Sequence, residues 1–173
     1  AKQMTKAINS QKPVICIPLH TPDVLDNSEQ YKTQCKEKLN IKNCEYVFGS
    51  FGYASTEKRI IPILEALARF KDQKRIAFHY YIVGKVNGID VDGQVNKLGL
   101  SNEVTVTGYT TLEDFKIYMG ACDACLNLRY PTQGESSASL HRMFGMGKPV
   151  IVSQIGTFEE YPDDIVLKVR CDD

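Results

Sequence analysis

The sequence predicts an α/β protein: a parallel sheet with helices on both of its faces. Two observations carry this. Short apolar runs recur at VICIPL (14–19), YVFGSFG (46–52), FHYYIVG (78–84), VTVTGY (104–109), ACLNL (124–128), PVIVS (149–153) and IVLKV (165–169). They are β-branched or aromatic and near-continuous, as strands buried on both faces are, whereas a strand with one wet face alternates. Between the runs lie segments of helical periodicity. Strands alternating with helices of about 10–15 residues imply right-handed βαβ crossovers and a parallel sheet.

The elements follow in order. Residues 28–40, SEQYKTQCKEKLN, read as a first helix. Residues 56–70, TEKRIIPILEALARF, carry apolar side chains at 60, 61, 63, 64, 67 and 68. Thr56 is the expected N-cap, and Pro62 falls in the early turns that tolerate it best. Residues 91–100 read as a helix stopped at Gly99. Residues 111–120 open on a threonine followed by acids and stop at a glycine, the order that caps and the helix dipole favour. Residues 136–146 open on serines and stop at Gly147, just before Pro149.

The chain has 173 residues, enough for one domain with an extension and for a core that needs no disulfide. The 21 basic and 21 acidic residues balance, which argues against a general nucleic-acid binder. The six cysteines are scattered through apolar runs and read as reduced, buried hydrophobes of a cytoplasmic protein. Cys122-Asp-Ala-Cys125 has zinc or redox spacing, but no second ligand pair stands at a matching distance. No window reaches the length of a membrane span, and the N-terminus lacks an apolar signal core. Residues 1–44 read as a lead-in and residues 45–173 as the domain.

In an open parallel sheet, ligands bind beyond the carboxyl ends of the strands, at the point where strand order reverses. Two such ends carry suitable residues. After the run at 46–52 a glycine-containing loop leads through Lys58 and Arg59 into a helix. Two cations in a helix's first turn oppose its dipole, a cost that a bound anion would offset; solvated cations on an ordinary turn are the plainer reading. The loop is neither a dinucleotide fingerprint nor a Walker loop. After the run at 124–128 comes RYPTQGESSAS, where Gly134 gives a close approach and Glu135, Ser136 and Ser137 head a helix. Free N–H groups there suit a phosphate, though the serines would equally serve as caps. A carboxylate beside a phosphate site, as Glu135 would be, is placed to accept from sugar hydroxyls. His141 reads as a packing residue.

These stretches resemble the C-terminal, donor-binding half of a family 4 (group 1) glycosyltransferase of GT-B architecture. The resemblance runs from about residue 12 to 173 and rests on VFGSFGYASTEKRI, HYYIVGKVNG, VTVTGYTTLEDFKIYMGACDACLNLRYPTQGE and GESSASLHRMFGMGKPVIVSQIGTFEEYPDD. It implies one Rossmann-like half of a two-domain protein. Residues 1–44 would then be the interdomain connection, with the acceptor-binding N-terminal domain outside this sequence. It also implies a nucleotide-diphosphate sugar as substrate, and transfer with retention to a hydroxyl of a saccharide or lipid-linked acceptor in polysaccharide or glycoconjugate synthesis. No cofactor and no metal are expected, because no Asp-x-Asp stands at a strand end. Location would be cytoplasmic, with family members often docking on the inner membrane face through the missing half.

Position by position, the resemblance makes Lys58 the lysine on the donor diphosphate and Glu135 the acid on the donor sugar. Gly52 and Gly84 match the turns after the first two strands. Tyr109 and Thr110 match the nucleobase loop, and Gly134, Ser136, Ser137 and Ala138 the phosphate-binding helix start. Three features depart from the pattern: Glu135 sits one residue closer to the second acid's position than the signature has it, Tyr53 stands where an arginine is usual, and Arg142 replaces the second glutamate, which holds the ribose. The missing cation would then come from Arg59, Arg129 or Arg142. The Arg142 replacement keeps a non-catalytic nucleotide-binding module open as an alternative, and a GT-B sugar phosphorylase or epimerase is another.

Overall fold

The computed structural model describes residues 20, 26–42 and 44–171. The predicted strand at 14–19 lies outside them, as does Cys16. Six strands follow in chain order: β1 (Tyr46–Phe51), β2 (Phe78–Val83), β3 (Val104–Gly108), β4 (Ala124–Asn127), β5 (Val150–Ser153) and β6 (Leu167–Val169). They form one sheet in the order β3-β2-β1-β4-β5-β6, with every neighbouring pair parallel. The helices are α1 (Glu29–Lys38), α2 (Ile60–Lys74), α3 (Val91–Lys97), α4 (Leu112–Ala121) and α5 (Ala138–Gly145). This is the doubly wound, Rossmann-like arrangement, and its order reverses between β1 and β4.

Alternation along the strands splits the core in two. Val47 and Phe51 of β1, with Tyr81 and Val83 of β2, point to the face that also holds Met119, Leu140, Met143 and Phe158, brought by α4, α5 and the turn after β5. Tyr80 and Ile82 of β2 point to the other face, where Ile60, Leu64, Val91 and Val95 of α2 and α3 cover them. Strand residues are thus buried from both sides, which is why the runs read as continuous rather than alternating.

Several boundaries differ from the sequence reading. The helix predicted to start at Thr56 begins at Ile60, after a 3-10 turn at Thr56–Lys58, and runs on to Lys74. Arg59 between them has φ 57°, a left-handed conformation no helix interior accepts. Lys58 and Arg59 therefore precede the α-helix, and the predicted clash of two cations with its dipole is not present. The third helix ends at Lys97 and is capped by Asp90, whose carboxylate accepts from Gly93 N–H at 2.9 Å. The last helix starts at Ala138, two residues later than predicted, with Ser137 as N-cap. Thr111 caps α4 and Ser28 caps α1.

Cys122 and Cys125, whose spacing admitted a metal, are both buried, and each belongs to the first core cluster. Between them Asp123 ties α1 to the sheet. Its carboxylate meets Lys32 Nζ at 2.7 Å and Lys36 Nζ at 3.0 Å, and accepts from Val47 N–H at 2.7 Å. Desolvation works against this carboxylate, but the lysines and the Val47 N–H outweigh it and hold the carboxyl below its usual range. A depressed folded pKa means stability that is present above the unfolded value near 3.8 and lost as pH falls through the folded one. Asp123→Ala should cost about 1–3 kcal/mol, since three hydrogen bonds to a charged group are lost at once. Thermal melts at pH 7 and pH 3 test this: the gap between wild type and variant should shrink at the lower pH.

Candidate functional site

The switch point between β1 and β4 sets two strand-to-helix connections side by side. The first leaves β1 at Gly52, with φ 94°. It is stitched to the segment after β2 by Gly52 N–H to Val83 O (2.9 Å), Ala54 N–H to Lys85 O (3.0 Å) and Asn87 N–H to Ala54 O (2.9 Å). Gly84, with φ 146°, lies so close to Gly52 that a side chain there would strike its carbonyl. The 3-10 turn then carries Lys58 back over the strand end, where its ammonium donates to Phe51 O at 2.7 Å. Burial pushes that ammonium down to about 8, and the Arg129 guanidinium beside it pushes the same way.

Arg129 comes from the second connection. Its N–H donates to Ser153 Oγ at 2.9 Å, pinning the end of β4 to β5. The next residue, Tyr130, donates its N–H to Glu57 O at 2.7 Å and so ties this loop to the turn that carries Lys58. The Arg129 side chain is mostly buried, and its Nε lies 3.1 Å from Glu135 Oε1. The other carboxylate oxygen, Oε2, accepts from Thr132 Oγ1 at 2.9 Å and from Gln133 N–H at 2.8 Å. Desolvation opposes the Glu135 charge. The hydrogen bonds and Arg129 more than compensate, and the carboxyl stays below its usual range.

Past Glu135 the chain enters α5. Ser137 is buried, and its Oγ accepts from Leu140 N–H at 3.3 Å and donates to Asn127 Oδ1 at 3.1 Å. Ser136 and Ala138 are exposed on either side of it. The first N–H groups of a helix have no partner within it, so this end offers donors to an anion.

The predicted residues therefore divide. Lys58, Arg129 and Glu135 come together at the switch point, with Gly134 and the Ser136–Ala138 helix start directly behind Glu135. Gly52 and Gly84 shape the floor. Arg59 turns away: its Nη2 donates to Cys171 O at 3.1 Å, and its guanidinium lies 5.7 Å from the centre of the Tyr130 ring. Arg142 sits in the last turn of α5, where a cation complements the carbonyl end of the helix dipole. Tyr109 and Thr110 follow β3, two strands from β1, and Tyr109 is 91% exposed. Tyr53 is 67% exposed at the mouth of the first loop.

Comparison with known proteins bears on this arrangement. The family model for "Glycosyl transferases group 1" matches residues 32–166. The chain belongs to the group 1 glycosyl transferases. Among solved structures, the fold matches WaaG, a glycosyltransferase of lipopolysaccharide biosynthesis, with a TM-score of 0.71 at 18% identity, over 86% of this chain and 40% of that one. It matches Anabaena Alr3699/HepE, solved with UDP and glucose, with a TM-score of 0.67 at 22% identity, over 83% of this chain and 39% of that one. It also matches the C-terminal domain of the group 1 protein LpcC from Francisella tularensis, with a TM-score of 0.66 at 18% identity, over 85% of this chain and 77% of that one. A search of curated proteins gives no match. The chain thus spans about two fifths of the length of the full-length relatives, and its fold is that of GT-B glycosyltransferase domains.

One residue beneath the switch point escaped the sequence reading. Asn127 is 2% exposed and holds the α5 cap through Ser137, while its Nδ2 has no partner. The available signal was a single amide inside the apolar run ACLNL, which a buried strand would not carry without a polar neighbour. Among the described residues no helix is long and apolar enough to cross a membrane.

Proposed function

We propose that this chain is the donor-binding half of a retaining glycosyltransferase. It binds a nucleotide-diphosphate sugar and presents it to an acceptor hydroxyl held by a second domain, in polysaccharide or glycoconjugate synthesis. The observation that carries the reading is the meeting of Lys58, Arg129, Glu135 and the α5 N-terminus at the switch point of a group 1 family fold. Uracil is the base we propose, since HepE, a structural relative, is described with UDP and with UDP-glucose.

The leaving group is a nucleoside diphosphate, whose charge grows as the glycosidic bond breaks. Preorganised cations and helix N–H groups aimed at that charge lower the barrier. Lys58 and Arg129 supply the cations in this reading, Arg129 standing in for the arginine that Tyr53 replaces, and no metal or other cofactor is assigned a role. Glu135 orients the sugar.

Calorimetric titration of the chain with UDP, GDP and ADP tests this directly. Saturable binding of UDP supports it; no binding of any diphosphate overturns it. The pH dependence carries a second expectation. An anion stabilises the charged form of Lys58, so binding is strongest below the free value of about 8. Above it, affinity should fall by roughly tenfold per pH unit, because each binding event must first take up a proton. A flat profile from pH 7 to 9.5 would remove Lys58 from the contact.

A further inference from the structure

At the switch point the two charged groups that the donor would meet hold each other. Glu135 Oε1 faces Arg129 Nε at 3.1 Å, and Oε2 is filled by Thr132 and Gln133. Two of the carboxylate's acceptor positions are thus taken by Thr132 and Gln133, and Oε1 faces a cation. The Arg129 Nε, though close, is off the hydrogen-bond line to Glu135 and has no other partner despite being buried. The contact is an ion pair without a well-made hydrogen bond, so it is the contact most easily exchanged.

We propose that the Arg129–Glu135 pair makes this site discriminate a sugar-loaded nucleotide from the spent nucleoside diphosphate. The inference rests on the donor-binding reading above. A diphosphate draws Arg129 toward itself and leaves Glu135 Oε1 without its cation. A loaded donor replaces that cation with hydroxyl donors from the sugar. A bare nucleoside diphosphate brings none, and instead sets a terminal phosphate of about −1.5 to −2 charge near an unpaired carboxylate. The two anions repel in a half-buried site, where screening is weak. Without this penalty the spent nucleotide, the more highly charged of the two, would be held more tightly by Lys58 and Arg129 than the donor. Glu135 therefore favours exchange of product for fresh substrate. This role differs from that of a residue that merely shapes the loop.

The test is calorimetry on the full chain with UDP and UDP-glucose as probes, in wild type and Glu135→Gln. Gln keeps the shape and an acceptor for Thr132 and Gln133 while removing the charge. UDP should bind roughly three- to tenfold more tightly to the variant, and UDP-glucose no more tightly than to wild type. The discrimination between them then narrows. Glu135→Ser carries the same expectation for UDP should Gln disturb the loop. UDP binding that is unchanged or weaker in both variants, while wild type binds both probes, overturns the inference and leaves the donor-binding reading standing. Equal tightening of both probes also overturns it. Failure of wild type to bind either probe removes the donor-binding reading itself.

Discussion

Lys58→Met should weaken UDP binding by roughly 10- to 150-fold, the loss of about 1.5–3 kcal/mol expected for a charge-assisted hydrogen bond. The size follows from position. The ammonium lies at the carboxyl end of β1, held by Phe51 O, with the Arg129 guanidinium acting on it. Burial already disfavours its charge, so the folded chain carries a cost that an anion relieves. Methionine fills nearly the same space and removes the charge that burial disfavours. The melting temperature of the free protein should then change little, although one hydrogen bond to Phe51 O is lost. Binding and stability part company in this variant, and that separation is the diagnostic result. A variant that binds UDP like wild type would show that Lys58 is a strand-end clamp and no more. Lys58→Arg should recover only part of the affinity, because a planar fork cannot occupy the compact place of an ammonium against Phe51 O.

The fold was legible because its strands are buried on both faces. Phe78, Tyr80, Tyr81, Ile82 and Val83 are all buried, so β2 reads as one apolar run, and the helices between such runs imply the parallel sheet. The start of α2 was not legible. Arg59 takes a left-handed conformation and meets Cys171 and Tyr130, and no local pattern announces it. The site shows the same division. Lys58, Glu135 and the serines at the head of α5 could be picked out from the sequence because they follow two strand-like runs. That Arg129 rather than Arg59 or Arg142 lies beside Lys58 depends on β1 and β4 being neighbours in space, 76 residues apart at Val47 and Asp123. The engagement of Glu135 by Arg129, Thr132 and Gln133 is likewise a property of the folded loop. Its residue types are plain in RYPTQGE, but their pairing is not.

The floor of the site sets the second large expectation. Gly84→Ala should destabilise the protein by about 3–5 kcal/mol, because two penalties act at one atom. The residue has φ 146°, a region that L side chains rarely adopt, and a Cβ there would run into the Gly52 carbonyl. Neither can relax cheaply. Gly52 is fixed by its own N–H bond to Val83 O, and Gly84 bridges Gly108 on the other side. For a chain of this size the melting temperature should fall by roughly 6–20 °C. Gly88→Ala is the matched control. That glycine also has a positive φ, 70°, but nothing lies within 4 Å of the added atom. Only the backbone term remains there, about 1–2 kcal/mol. A large gap between the two variants measures the close approach of the β1 and β2 loops together with the costlier backbone conformation of Gly84. Equal losses would assign it to backbone conformation alone. At temperatures where the Gly84 variant stays folded, UDP binding should still be weakened. Relief of the clash must move Gly52, and Gly52 begins the loop that carries Lys58 to the strand end.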